Sequence, residues 1–286
     1  TSSPASDGKL TIHGTDTDSG ILLSRSSGND VAIHNIGGTL AFRTGGQSTT
    51  LGGLTDHMRL DASGRLLSGS SSSRTVQGFN HKVQVEGTNA STASISIVRN
   101  TNSVDPPYIT FGKTRSGSVG ASGIVQQDDV LGRIDFTGAN GSNLDSLGAR
   151  IDARVDGTPG SSSDMPTRLT FQTSSDGSST PAERMRIDAS GNLLVGTNDT
   201  TLYNNTTGTG TKIGGDGRLD VARQADTVAT FNRTGSSDGE VVRVVASGTT
   251  VGSTGVVGGN DLYIAGGATG IRFDSDVAKI YPTNGT

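Results

Sequence analysis

The stretch Met58-Arg-Leu-Asp-Ala-Ser-Gly-Arg-Leu-Leu67 returns in the middle of the chain as Met185-Arg-Ile-Asp-Ala-Ser-Gly-Asn-Leu-Leu194. In both copies, apolar residues that are typical of β-strands flank the segment Asp-Ala-Ser-Gly. An Asp side chain accepts hydrogen bonds from the backbone that follows it, and Gly tolerates a positive φ, so this segment is typical of a tight turn. Each copy therefore predicts a β-hairpin.

A longer unit surrounds this hairpin and recurs three times. A weaker third copy of the hairpin stands at Ile271-Arg-Phe-Asp-Ser-Asp276, and a short strand is predicted before each copy, starting at Leu40, Leu169 and Leu262. Earlier still, each unit has an alternating strand and then a strand that ends in Arg. These pairs are Leu10–Ile12 with Arg25, Val83–Val85 with Arg99, and Leu219–Val221 with Arg233. The recurrence predicts three modules, at residues 1–69, 70–196 and 197–286.

The middle module is longer, and its additional segments also alternate between apolar and polar residues. Further strands are predicted at residues 108–111, 123–125, 132–136 and 150–155. Helical periodicity is nearly absent, and only residues 181–186 predict one helical turn. The chain is therefore expected to be all-β.

The composition provides little volume for a core of its own. Only 30% of the 286 residues are hydrophobic and 4% aromatic, there is no Trp, and 43 residues are Gly. The alternating runs argue against disorder, so the core is expected to be shared between stacked repeats or identical chains. A net charge of -4 without a basic stripe argues against nucleic acid and anionic membranes as partners. No run has the length of a membrane span, and the absence of Cys excludes disulfides.

The chain contains several residue types that occur in catalytic or binding sites. In each case their pattern favours a structural role. A glycosidase needs paired carboxylates, and the candidate pairs are Asp152 with Asp156 and Asp128 with Asp129. These residues are interpreted as strand or turn acids. The four histidines have no metal-binding spacing, and the glycines at 208–217 lack the residues of a phosphate loop; the histidines are His13, His34, His57 and His81. No catalytic, cofactor-binding or metal-binding residue is predicted.

Two further groups of residues are interpreted as structural. The phenylalanines at strand positions are expected to fill the core; these are Phe42, Phe111, Phe136, Phe171, Phe231 and Phe273. The repeated hairpin carries Arg59 with Asp61, and Arg186 with Asp188. The Asp is expected to cap the turn, and the Arg, on the same strand face, to bridge this Asp or a neighbouring chain.

The stretch from Glu183 to Thr197 contains the second hairpin copy. It resembles a short sequence that recurs along tail-fibre and related receptor-binding fibre proteins of bacteriophages and prophages. The residues around it resemble the same family in the same order and cover most of the chain. These are 105–113, 131–139, 154–160 and 164–169 of a longer unit, and 231–234, 248–253 and 271–282 of a shorter one. Thr1-Ser-Ser-Pro4 resembles the end of this recurring sequence, so the first module is expected to be incomplete at its N-terminal end. Because related proteins continue past the region of Tyr281, the third module is expected to be incomplete at its C-terminal end.

The resemblance implies an elongated, parallel homotrimer whose chains intertwine around a common axis in β-prism or β-helix-like modules. It implies a structural, non-enzymatic fibre segment of a virion that is made in the host cytoplasm and supports attachment to the host cell. Other tail or baseplate proteins and a host-surface glycan or protein are the implied partners. The alternatives are a tailspike-like enzyme that degrades surface polysaccharide, a head fibre on the capsid, and a bacterial surface adhesin. Longer members often end in an intramolecular chaperone domain.

Overall fold

The computed structural model describes residues 18–23, 29–46, 51–160, 163–234, 238–258, 261–266, 269–277 and 279–283. The chain divides into two compact units, Thr1–Leu193 and Leu194–Thr286. Both units are built of β-strands, and the helical structure in the described ranges consists of two 3-10 turns, Leu51–Gly53 and Leu202–Asn204. Neither turn has the length that a membrane-crossing helix needs.

The first unit begins with a sheet whose strands follow one another in chain order. The strands are β1 (Asp18–Leu23), β2 (Asp30–Ile36), β3 (Thr39–Gly45), β4 (Thr55–Leu60), β5 (Leu66–Ser68) and β6 (Val83–Val85). Neighbouring strands are antiparallel except for β5 and β6, which are parallel. Gly37 and Gly38 form the two-residue connection between β2 and β3, and both have a positive φ, of 55° and 85°, which suits a tight hairpin turn.

A second sheet follows after residues 86–129, which contain no strand. Its strands are β7 (Val130–Gly138), β8 (Ser146–Val155), β9 (Thr167–Thr173), β10 (Ala182–Ile187) and β11 (Leu193–Val195). They lie in the order β11-β10-β9-β8-β7, so that β7 is an edge strand. The register places Ile134 opposite Ile151, Ile151 opposite Phe171, and Phe171 opposite Met185.

The second unit contains an antiparallel hairpin and a five-stranded antiparallel sheet. The hairpin is formed by β12 (Gly210–Ile213) and β13 (Leu219–Ala222). The sheet is formed by β14 (Gly239–Ala246), β15 (Thr249–Val257), β16 (Asp261–Gly266), β17 (Thr269–Asp274) and β18 (Lys279–Thr283), in chain order.

Two strands show small or polar residues on the buried face of a sheet. Along β2, Asp30, Ala32 and His34 are buried while Val31 and Ile33 are exposed. Along β16, Asp261, Tyr263 and Ala265 are buried while the residues between them are exposed. Because side chains alternate between the two faces of a strand, each of these two strands presents large apolar residues on its exposed face.

Most predicted strands that fall on described residues are confirmed. Those at Leu40, Leu169 and Leu262 lie in β3, β9 and β16, and the segments 83–85, 132–136, 150–155 and 219–221 are also strands. The predictions at 108–111 and 123–125, and of strands ending at Arg99 and Arg233, are wrong for the single chain, in which these residues lie outside any strand. The predicted helical turn at 181–186 is wrong, because these residues form β10. Leu10–Ile12 and Arg25 lie outside the described residues, and the three-module division stays a prediction.

In all three copies of the repeated hairpin, the Asp side chain accepts two backbone hydrogen bonds, and the first two copies use the same positions. Asp61 Oδ1 accepts hydrogen bonds from the backbone N–H groups of Ser63 and Arg65, at 2.9 and 3.0 Å. Asp188 Oδ1 accepts from the equivalent groups of Ser190 and Asn192, both at 2.9 Å.

The third copy lacks the turn glycine, and its Asp accepts from the second and third residues after it, where the first two copies use the second and fourth. Asp274 Oδ1 accepts from the N–H groups of Asp276 and Val277, at 3.0 and 3.1 Å. In the first two copies, Gly64 and Gly191 have φ values of 69° and 78°, which only Gly adopts readily. The Asp therefore determines the turn in every copy, and the Gly adjusts its geometry in two of them.

We expect Asp188→Ala to lower the free energy of unfolding by about 1–2 kcal/mol, because two backbone donors lose their acceptor. Asp188→Asn keeps a carbonyl oxygen at the same place and is the matched control, with a smaller loss. Urea unfolding of the three proteins at equal concentration measures the difference. Equal stability of the Ala variant and the parent would contradict the role of Asp188 in the turn.

Candidate functional site

The first sheet exposes a continuous apolar face. Cross-strand pairing places Ile21 opposite Ile33, Ile33 opposite Phe42, and Phe42 opposite Met58. In the same way, Leu60 lies opposite Leu66, and Leu66 opposite Val83. Most residues of this face are more than one-third exposed; they are Ile21, Leu23, Val31, Ile33, Leu40, Phe42, Leu60, Leu66 and Val83.

The other two sheets repeat this feature. In the second sheet, the exposed apolar residues include Ile134, Phe136, Leu169 and Ile187. In the third sheet, Leu262, Ile264, Ile271, Phe273 and Ile280 are exposed, and pairing places Leu262 opposite Phe273 and Ile264 opposite Ile271. We call these surfaces the apolar faces. Apolar patches of this kind on a soluble chain mark surfaces that bind another molecule.

The phenylalanines lie on or near these faces and not in a core of the single chain. Phe42, Phe136 and Phe273 are exposed by 37%, 53% and 38%, so the prediction that they are core residues is wrong for the chain alone. Phe111 and Phe231 are exposed and lie outside the strands. The fully buried large side chains include Leu67, Leu194 and Val155.

The opposite faces carry ion pairs, of which the best covered lies on β7 and β8. Asp152 is fully buried, and Arg133 donates to its Oδ1 at 2.8 Å while Arg154 donates to its Oδ2 at 2.6 Å. Burial raises the pKa of Asp152, but the hydrogen bonds from these two arginines outweigh it and hold the pKa below its ordinary value. Asp152 is therefore a charged structural residue that binds two arginines of the same sheet.

The arginines of the repeated hairpin do not all bind the turn Asp. Arg59 pairs with Asp56, which also accepts from Arg43, and Arg186 pairs with Glu183. In both copies the partner stands three residues before the Arg, so the expectation that Arg59 and Arg186 bridge Asp61 and Asp188 is corrected. In the third copy, Arg272 binds both Asp261 and Asp274.

The remaining candidate carboxylates are also held by arginines. Arg115 binds Asp129 through two hydrogen bonds, at 2.6 and 2.7 Å, and this contact lowers the pKa of Asp129. Arg168 binds both Asp128 and Asp156, at 2.5 and 2.8 Å. Burial raises the pKa of Asp156, but the hydrogen bonds from Arg168 and the Ala189 N–H, together with the charges of Arg168 and Arg186, hold the pKa below its ordinary value. A glycosidase general acid needs the opposite, a raised pKa.

The other candidate groups are dispersed. His34 is buried beside Arg43, whereas His57 and His81 are exposed; His13 lies outside the described residues. Within the described ranges, no group of three His, Asp or Glu side chains is arranged to hold a metal ion. The glycines of 208–217 belong to the β12–β13 hairpin, in which Gly217 N donates to the Gly214 carbonyl oxygen.

A groove on the charged face of β7 and β8 was not foreseen from the sequence. The segment Val76–His81 crosses these strands, anchored where Gln77 Nε2 donates to Thr137 Oγ1 at 3.1 Å. The groove has a volume of about 430 Å³, and Phe79 and His81 line it together with Arg133, Asp135 and Arg150. The sequence gives no signal for it, because its two sides lie more than fifty residues apart in the chain.

We expect acid to destabilise the protein through Asp152 and the similarly paired Asp56 and Asp156, whose pKa values are all lowered in the folded state. A lowered folded pKa gives stability that is present above the unfolded value, near 4, and is lost as the pH falls below it. Asp152→Asn should lower the free energy of unfolding at pH 7 by about 3 kcal/mol, because the arginines lose a buried partner. It should also reduce the loss of stability between about pH 5 and pH 2.

Asp135→Asn is the matched control, since Asp135 pairs with Arg150 on the same strands but is partly exposed. Its loss should be about 1 kcal/mol or less. Urea midpoints measured across this pH range report both effects. An Asp152→Asn variant as stable as the control, with the parent's pH dependence, would show that the pair does not stabilise the sheet.

No protein-family model matches this chain. No curated protein matches it. Among solved structures, the chain is similar to the carboxy-terminal domain of the bacteriophage T5 L-shaped tail fibre with its intramolecular chaperone domain, with a TM-score of 0.50 and 16% identity over 86% of this chain and 71% of that one. The structure of that carboxy-terminal domain by itself gives a TM-score of 0.49 and 17% identity over 79% of this chain and 92% of the other. The chain thus has the fold of a phage tail-fibre domain.

Proposed function

We propose that this chain is a structural segment of a phage tail fibre, a virion appendage that supports attachment to the host cell. The fold it shares with a tail-fibre domain supports this role. The stretch Glu183–Thr197, which contains the repeated hairpin and resembles a sequence of fibre proteins, supports it too. The observation that carries the proposal is the exposed apolar face of each sheet. A fibre assembled from several copies provides a surface to cover each face.

The apolar faces favour a homotrimer that shares its core. Burying one large aliphatic or aromatic side chain contributes about 1.5–3 kcal/mol, so leaving a whole face in water forgoes a large stabilisation. The opposite faces are already covered by ion pairs and small residues of the same chain. Three parallel chains intertwined around a common axis place every apolar face inside and leave the paired charges on the outer side, as in a β-prism.

The other parts of the proposal follow from this arrangement. Further tail or baseplate proteins bind the ends of the trimer, and a glycan or protein of the host surface binds its outer surface. A chain made in the host cytoplasm folds without disulfides, and this one has no Cys. Weak contacts repeated on three chains give firm attachment through avidity.

We also propose that the segment is not an enzyme. The carboxylates that a polysaccharide-cleaving site needs bind arginines, and the pKa values of Asp129, Asp152 and Asp156 are lowered. A general acid with such a pKa is deprotonated at neutral pH and has no proton to donate.

The first test is the mass of the assembled protein. Sedimentation equilibrium is expected to give three times the chain mass of 29.0 kDa. Ile264→Asp puts a charge in the middle of the apolar face of the third sheet and should shift the population toward single chains.

Thr250→Asp is the matched control, because Thr250 is an exposed residue of the same sheet and is already polar. It should sediment like the parent. A parent protein that is monomeric at micromolar concentration, with a native circular-dichroism spectrum, would contradict the homotrimer.

The second test separates a fibre from a tailspike enzyme. The purified protein is incubated with host surface polysaccharide, and reducing ends are counted over time beside a binding measurement on the same samples. We expect binding without new reducing ends. Reducing ends that appear in proportion to protein concentration would establish the enzymatic alternative.

A further inference from the structure

Residues 94–113 belong to no strand of their own chain, and residues 94–101 and 105–113 contain neither a turn nor a bend. Their backbone groups make no hydrogen bond to another described backbone group. Ile95, Ile97 and Val98 are exposed by 73%, 47% and 73%. Backbone N–H and C=O groups are nearly always paired in folded proteins, so this segment has the composition of a strand without the partner of one.

The first module shows what the same part of the repeat does when it has a partner. Ile21 and Leu23 stand four and two residues before Arg25, as Ile95 and Ile97 do before Arg99. Ile21 and Leu23 lie in β1, which pairs antiparallel with β2, and their side chains belong to the apolar face. The equivalent residues of the middle module have the same spacing and exposure but no strand to pair with.

The third module gives a second, independent instance. Ala229 and Phe231 stand four and two residues before Arg233, and Phe231 is 68% exposed. Residues 228–232 make no backbone hydrogen bond to another described backbone group. In both modules the sheet that follows ends in an edge strand, β7 in the second sheet and β14 in the third.

We infer that residues 94–99 and 228–232 are donor strands, which pair with the edge strands β7 and β14 of a second copy of this chain. This inference rests on the proposed homotrimer and names the segments that join its chains. Backbone pairing with an exposed edge is a common means of association, and it removes an edge that otherwise promotes aggregation.

The contacts of residues 94–113 favour pairing with the β7 strand of a second copy over pairing with β7 of the same chain. Phe111, near the end of the segment, rests on the apolar face of β7, where a Cβ at Gly132 would lie 2.6 Å from the Phe111 Cβ. Arg115 is fixed to Asp129 just before β7. The segment is thus anchored beside its own sheet at one end, while Ile95 and Ile97 remain uncovered by that sheet. The apolar faces of neighbouring copies supply the missing surface.

Amide hydrogen exchange on the native protein, read out by mass spectrometry, tests the pairing. We expect the amides of residues 94–99 to exchange as slowly as those of β2, and much more slowly than those of the exposed turn 116–120. Exchange of 94–99 as fast as the turn, in a protein that sediments as a trimer, would overturn the donor strand and leave the proposed homotrimer standing.

A variant distinguishes pairing between chains from pairing within one. Ser96→Pro with Ile97→Pro removes two successive N–H groups, which point to opposite sides of a strand, so one of them faces the edge that accepts it. Ser96→Ala with Ile97→Ala is the matched control and keeps both groups. We expect the proline variant to lose the trimer and the alanine variant to retain most of it.

A proline variant that stays trimeric, while the parent protects 94–99 from exchange, would mean that the segment pairs within its own chain. A monomeric parent would contradict the homotrimer itself. If the proline variant does not fold, exchange on the parent protein still decides whether the segment is paired.

Discussion

The sheets of this chain have many large apolar side chains on a face that their own chain leaves largely exposed. Ile33 and Phe42 lie on the exposed side of the first sheet, while Ala32, Ala41 and Asp30 lie on the buried side. A single layer of antiparallel strands has no second layer of its own to cover this face. This constraint underlies the proposed homotrimer, in which other copies supply the layer that the single chain lacks.

The ion pairs on the opposite faces serve a different purpose. Exposed pairs contribute about 0–1 kcal/mol each, far less than one buried apolar side chain, so they do not drive assembly. Asp152 on β8 lies opposite Arg133 on β7, so their opposite charges are paired across the two strands. A slip of one residue in the strand register would separate these two charges. In the proposed homotrimer, the apolar faces supply the association energy, and the paired charges hold the strands of each chain in register.

The elements that could be predicted from the sequence are those determined by residues close together in the chain. The hairpin turns follow from an Asp that binds the next backbone groups, and alternation located β3, β8, β9 and β16 correctly. It could not predict that Phe136 is exposed in the single chain, because alternation identifies the apolar side of a strand but not the molecule that covers it. Nor could it pair Arg59 with Asp56 or place Phe79 beside Arg150, since these contacts depend on register and on a distant crossing segment.

Hydroxyl-radical footprinting measures directly whether the apolar faces are buried in the native protein. Phe42, Phe136 and Phe273 report on the three faces, with the exposed Tyr203 and the buried Tyr263 as internal references. If other copies cover the faces, all three phenylalanines are oxidised as slowly as Tyr263 once intrinsic reactivities are corrected for. Oxidation of the three at the rate of Tyr203 would show that the faces are open to water and would contradict a core shared between chains.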